Sequence, residues 1–175
     1  MKFSFADKFF PGAKTQLLLW FLFPALFLLF FLLAFFSEGV YDSGDCINHY
    51  LISRYSFRHP ELFLHHWGKP FFTLVSSPFS QAGFIGINVF NILCALLTGY
   101  FLYRIAVRMN MERPALVILF SCFAPVYLPV IISGLTEMFF GLVLTLSVFL
   151  FMKRQYAAAA LAVSFLPFVR SEGYL

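Results

Sequence analysis

The sequence predicts an all-α integral membrane protein with about four to five membrane-crossing helices, on three observations. The chain is 61% hydrophobic and only 11% charged, against about 25% charged in a soluble domain. Its apolar residues gather in long uncharged blocks, for which a water-soluble core has no use. The first block, 17–36, runs 20 residues without a charge. At about 1.5 Å per helical residue it reaches about 30 Å, the thickness of the hydrocarbon core. Helix is the default there, because lipid offers the backbone no hydrogen-bond partner.

Five blocks follow in order: 17–36, 83–103, 114–132, 138–152 and 156–169. The first comes after Lys2, Lys8 and Lys14, as a signal peptide would. It is longer than the 7–15 apolar residues of a signal, and no small-residue cleavage site follows, so it reads as an uncleaved first span. Blocks 83–103 and 114–132 are long enough to cross. Block 138–152 becomes so if it starts near Ser133, which draws Glu137 into its first turn. The last block has 14 residues, about 21 Å as a helix, and is expected to begin or end deep, or to thin the membrane locally.

The net charge of +4 does not indicate nucleic acid, because the basic residues are dispersed between blocks with no basic stripe. They read as topology. With a cytoplasmic N-terminus, Lys2, Lys8, Lys14, Arg104, Arg108, Arg113, Lys153 and Arg154 lie inside. Arg54, Arg58, Lys69 and Arg170 lie outside, eight against four. The acids lean the other way. Glu38, Asp42, Asp45, Glu61, Glu137 and Glu172 fall outside; Asp7 and Glu112 fall inside. The positive-inside rule does not count acids, so this skew needs another explanation.

Most connections are short, but that from 37 to 82 has 46 residues. It has room for a site, and function concentrates in long loops. Ile47, Leu51 and Tyr55 recur every four residues, predicting a loose amphipathic helix. Phe71, Phe72, Leu74, Val75 and Phe79 form a second apolar piece after Pro70. Both read as helices lying in the membrane interface. A separate soluble subdomain is the weaker reading, because 46 residues make a poor independent core.

Several residues in this frame carry chemistry. Asp42 and Asp45 sit just past the first span, flanking Gly44; either can cap a helix, and either can serve as a general base beside a lipid-borne substrate. In His65-His66-Trp67-Gly68-Lys69-Pro70, adjacent histidines point to different sides and make a poor metal pair. Lys69 suits a phosphate headgroup as a compact cation, or else snorkels. Glu137 follows Thr136 at the outer mouth of a span, either as a charge favoured at a helix N-terminus, with Thr136 as the cap, or as a functional carboxylate at membrane depth. Arg170 and Glu172 end the fifth block on the same side. Asn88, Asn91 and Thr98 share a broad face of the second span and are expected to pack against another helix. Cys46, Cys94 and Cys122 show no framework and no metal spacing, and read as small apolar fillers. The sequence supports no cofactor and no divalent-metal site.

The order of these features resembles the N-terminal part of the GT-C glycosyltransferases, polytopic enzymes that use polyprenyl-phosphate sugars, such as protein O-mannosyltransferases and the lipid A aminoarabinose transferase. The residues that carry the resemblance are Asp42 and Asp45 in a long outer loop, Lys69-Pro70-Phe71, Thr136-Glu137, and Arg170-Ser171-Glu172-Gly173. It covers essentially all of the chain. It implies a sugar moved from a polyprenyl phosphate to an acceptor hydroxyl outside the cytoplasm, with Asp45 as base, Asp42 its competitor, and Lys69 on the lipid phosphate. His66, Glu137, Arg170 and Glu172 become candidate substrate contacts. Cys46 stands where many members carry a second acid, which puts a metal role for that position in doubt. Family members have more spans, so 1–175 is expected to be the front part of a single domain truncated at its C-terminus. The alternative is a non-enzymatic polytopic protein, a transporter or a lipid-binding assembly partner. Transporter sites lie near the midplane, whereas here the ionisable groups gather at one face.

Overall fold

The computed structural model describes residues 13–37 and 41–174. Lys2, Asp7, Lys8, Glu38, Leu175 and the side chain of Lys14 lie outside the described residues. Every regular element within them is helical. The order is α1 (Ala13–Phe36), α2 (Ser43–Tyr55), a 3₁₀ turn (Pro60–Leu64), α3 (Pro70–Ser80), α4 (Phe84–Arg108), α5 (Leu116–Cys122), α6 (Tyr127–Ile131), α7 (Glu137–Met152) and α8 (Tyr156–Ser164). Two 3₁₀ turns, Leu166–Phe168 and Ser171–Tyr174, complete it.

Two helices are long and apolar enough to cross a membrane by length and composition: Gln16–Phe36 within α1, and α4. α7 and the stretch Tyr156–Phe168 are apolar but shorter. The single helix expected over 114–132 is not formed. It is split into α5 and α6, with a break at 123–126. Pro125 explains this: it lacks an N–H for the helical ladder, and it pushes the preceding Ala124 away from helical geometry. Likewise α7 begins at Glu137, not near Ser133, because Gly134 takes a left-handed turn (φ 70°) just before it. A β-carbon there would stand 2.9 Å from Ile87, so this turn also lets the chain press against α4.

α4 is the central element. Its Phe90 and Phe101 pack at a tilt against Phe139 and Phe149 of α7, with ring centroids 5.5 and 5.3 Å apart. Asn91 donates to the Leu135 carbonyl at 2.9 Å, so this polar face of α4 does pack against a neighbour, whereas Thr98 bonds back to Cys94 in its own helix. α4 and α7 run in the same direction. Both end in basic residues, where Arg104 and Lys153 lie over the Phe149 ring. Their opposite ends meet the layer formed by α2 and α3.

That layer contains both helices expected in the 37–82 connection. Ile47, Leu51 and Tyr55 are exposed, and so is Leu74 on α3. The buried face carries Cys46, His49, Ser53 and Ser56. The layer thus presents several large apolar side chains outward over a buried face rich in serines. α3 closes onto α4 at Gly86, where a β-carbon would fall 1.9 Å from the Phe79 carbonyl oxygen.

Candidate functional site

The first wall of the site is set by how α2 starts. Asp42 holds extended backbone, and its carboxylate accepts from the N–H groups of Gly44 and Asp45 at 3.2 and 3.3 Å. It is the N-cap of α2, exposed and away from the cavity described below. The two acids therefore divide their roles: Asp42 caps, and Asp45, three residues on, projects from the first turn into the cavity. One further turn along, His49 faces the same way. Cys46 is fully buried on the inner face of α2, where burial pushes its thiol pKa up. It offers nothing like a second carboxylate.

The second wall is the entry to α3. Lys69 has φ 59° and ψ 106°, a region that L-residues avoid. Pro70 then starts α3 at the position where a missing N–H costs nothing. The Thr73 hydroxyl ties the turn by donating to the Gly68 carbonyl at 2.8 Å. Gly68 must lack a side chain, since a β-carbon would stand 2.6 Å from Ile52. The result aims Lys69 across the cavity, where Nζ donates to Ser171 Oγ at 2.8 Å.

The third wall joins the start of α7 to the turn Ser171–Tyr174. Arg170 is pinned from two sides. Its Nε and Nη2 bond the two oxygens of Glu172 at 3.0 and 2.7 Å, while Nη1 makes an ion pair with Glu137 Oε1. The bidentate bond to Arg170 draws the Glu172 carboxyl pKa down to about 2. Thr136 was expected to cap α7; it makes no side-chain capping bond, and its hydroxyl accepts instead from Arg170 Nη1 at 3.4 Å. Gly173 fixes the turn, because its backbone presses on Leu166 so closely that a β-carbon would lie 2.3 Å from the Leu166 carbonyl carbon.

These walls enclose a cavity of about 230 Å³ lined by Asp45, His49, His66, Trp67, Lys69, Thr136, Arg170, Ser171 and Glu172. Five of the seven residues singled out in the sequence line it: Asp45, His66, Lys69, Arg170 and Glu172. Glu137 reaches it only through Arg170, and Asp42 does not take part. Sequence reasoning passed over His49. The ring is 6% exposed, packs edge-on to Phe72 with centroids 5.6 Å apart, and has no partner for Nδ1 among the described residues. Burial lowers its pKa, only partly opposed by the charges of Asp45 and Glu137, so it is neutral at neutral pH. Its spacing of four from Asp45 was the signal available. Among the described residues, no three His, Cys, Asp or Glu side chains gather as a metal-binding group.

No family model, curated protein or solved structure matches this chain.

Proposed function

We propose that the chain is part of a membrane glycosyltransferase of the GT-C type, moving a sugar from a polyprenyl phosphate to an acceptor hydroxyl at the extracytoplasmic face. One observation carries this reading. A carboxylate with no hydrogen-bond or ion-pair partner among the described residues (Asp45), an aimed cation (Lys69) and hydroxyl and imidazole groups share one small cavity at the rim of an apolar helical body. That is where a lipid-borne donor and a water-borne acceptor meet. α1 and α4 are the helices long enough to anchor the body in the bilayer, and the shorter apolar α7 and the stretch Tyr156–Phe168 pack beside them.

In this reading the acceptor O–H gives its proton to Asp45 as its oxygen attacks the anomeric carbon. The bond from that carbon to the phosphate oxygen breaks, and the electron pair stays on the phosphate. The phosphate thus gains a negative charge as the bond breaks. A cation held nearby stabilises the transition state more than the bound donor, and that difference accelerates the step. The bond from Lys69 Nζ to Ser171 Oγ at the cavity supports this role for Lys69.

The test is sugar transfer in membranes carrying the full-length protein, with a panel of radiolabelled polyprenyl-phosphate hexoses. Asp45→Asn keeps the shape but cannot take the proton, and transfer is expected to fall by about two orders of magnitude or more. Asp42→Asn still caps α2 and should cost far less. Full transfer by Asp45→Asn removes the base from this reading. Absence of transfer from every donor, with polyprenyl phosphate still bound, points to the lipid-binding alternative.

A further inference from the structure

The cavity has a charge problem. Two cations, Lys69 and Arg170, share it and its rim with three carboxylates, Asp45, Glu137 and Glu172. His49 adds no charge while burial keeps it neutral. A pocket with this balance repels a phosphate. For a phosphate to enter, one carboxylate must step out.

Geometry selects which. Glu137 is built in: it starts α7, its Oε1 is paired with Arg170, and its Oε2 is buried. Asp45 bonds neither cation. Glu172 is 53% exposed, sits on a short 3₁₀ turn, and covers the Nε/Nη2 edge of Arg170 with both oxygens. Two parallel N–H···O bonds from that edge are also how a guanidinium takes a phosphate. Ser171 lies between Arg170 and Glu172 in sequence and holds Lys69 Nζ at 2.8 Å, so the second cation flanks the same edge.

We infer that Glu172 is an internal stand-in for a phosphate ester: its carboxylate occupies the Arg170 edge until the phosphate of a lipid displaces it. Lys69 completes the exchanged site, and Glu137 keeps the guanidinium in place through Nη1. Glu172 needs only to rotate its side chain into water. The inference rests on the functional reading above solely in that the cavity takes a phosphate; it does not require sugar transfer. Because Arg170 draws the Glu172 carboxyl pKa down to about 2, protonation of Glu172 in mild acid does not release the Arg170 edge. A competing anion does.

The experiment uses the full chain in phosphatidylcholine nanodiscs, with a long-chain polyprenyl monophosphate and inorganic phosphate as probes, read by titration. Glu172→Gln removes the charge at constant shape. It is expected to bind the polyprenyl phosphate about tenfold tighter than wild type, the scale of one charge-assisted hydrogen bond. Lys69→Ala should bind it more weakly. A parallel gain for inorganic phosphate identifies the phosphate group itself as the ligand; a gain confined to the lipid identifies a headgroup presented from the bilayer. Unchanged or weaker lipid binding by folded Glu172→Gln overturns the exchange. A second readout needs no variant: carbodiimide labelling of Glu172 in the wild type should rise when polyprenyl phosphate is added, and no rise overturns it equally. Loss of transfer activity from all donors leaves both binding results standing, so the two readings fail separately.

Discussion

The layer of α2 and α3 and the pair of α4 and α7 are both helix-on-helix contacts, yet they are held together by different means. Between α4 and α7 the contact is aromatic, Phe90 on Phe139 and Phe101 on Phe149. Between α2 and α3 it is a seam of hydroxyls: Ser53 with Ser76 at 2.8 Å and Ser56 with Ser77 at 2.7 Å, all four side chains fully buried. Against lipid there is little hydrophobic gain from helix association, so close approach of small residues and interhelical hydrogen bonds carry it. The α2–α3 contact takes that route at its serines, beside the His49 ring on Phe72, and the candidate site hangs from it. Asp45 and His49 ride on α2, and Lys69 is the lead-in to α3.

The sharpest way to break the contrast is at the seam. Ser76→Val adds bulk where there is no room and leaves Ser53 without its partner. The cost should be roughly 2–4 kcal/mol from overpacking and the unmet hydroxyl together. A change of similar size on the outward face of α4, Leu97→Val, should stay within about 0.5 kcal/mol. Thermal unfolding of both variants in one detergent measures the difference; equal losses mean that the hydroxyl seam is not what holds the outer layer.

The seam also marks where the sequence stopped being legible. Ile47, Leu51 and Tyr55 predicted α2 and its exposed apolar side, and uncharged length predicted α1 and α4. Those signals depend only on local spacing and composition. The hydroxyl pairs join residues more than twenty apart, which periodicity cannot register. The same holds at the site. Asp45, His66, Lys69, Arg170 and Glu172 stood out as ionisable or polar groups beside apolar blocks, and they line one cavity. His49 was passed over despite its spacing of four from Asp45, since a histidine on an amphipathic helix looks solvated until another helix covers it. The split of 114–132 was foreshadowed by Pro125, but block length outweighed it. Asp42 and Asp45 exchange roles by a single turn of helix, a distinction made by cap geometry alone.

The outer layer should also respond to pH where the aromatic pair does not. Burial lowers the His49 pKa from its ordinary 6.5. Below pH 6.5 the unfolded chain takes up a proton that the folded chain refuses. Stability from this residue is therefore complete above that pH and declines as pH falls below it, by at most about 1.4 kcal/mol per pH unit. His49→Leu should flatten that decline between pH 7.5 and 5.5 on thermal unfolding. Wild type and variant losing stability in parallel would assign the decline to other groups.

The smallest expected effect separates stability from binding at one residue. Lys69 is held at positive φ ahead of a proline, a conformation that costs a non-glycine residue about 1–3 kcal/mol. Lys69→Gly removes that cost but gives the unfolded chain more freedom, worth about 0.5–1 kcal/mol in the opposite direction. The net result should be a protein more stable by about 1 kcal/mol. Its cavity then lacks the cation that reaches Ser171, so affinity for polyprenyl phosphate should fall. Lys69→Ala keeps the strain and loses the same charge, so it should bind as poorly without the gain in stability. A lysine that merely snorkels along an apolar surface predicts none of this: Lys69→Gly would still bind the lipid phosphate as wild type does. Unfolding and titration run side by side on the three proteins decide it. A more stable, weaker-binding Lys69→Gly means that the backbone strain at this position is retained for the sake of where it puts the ammonium group.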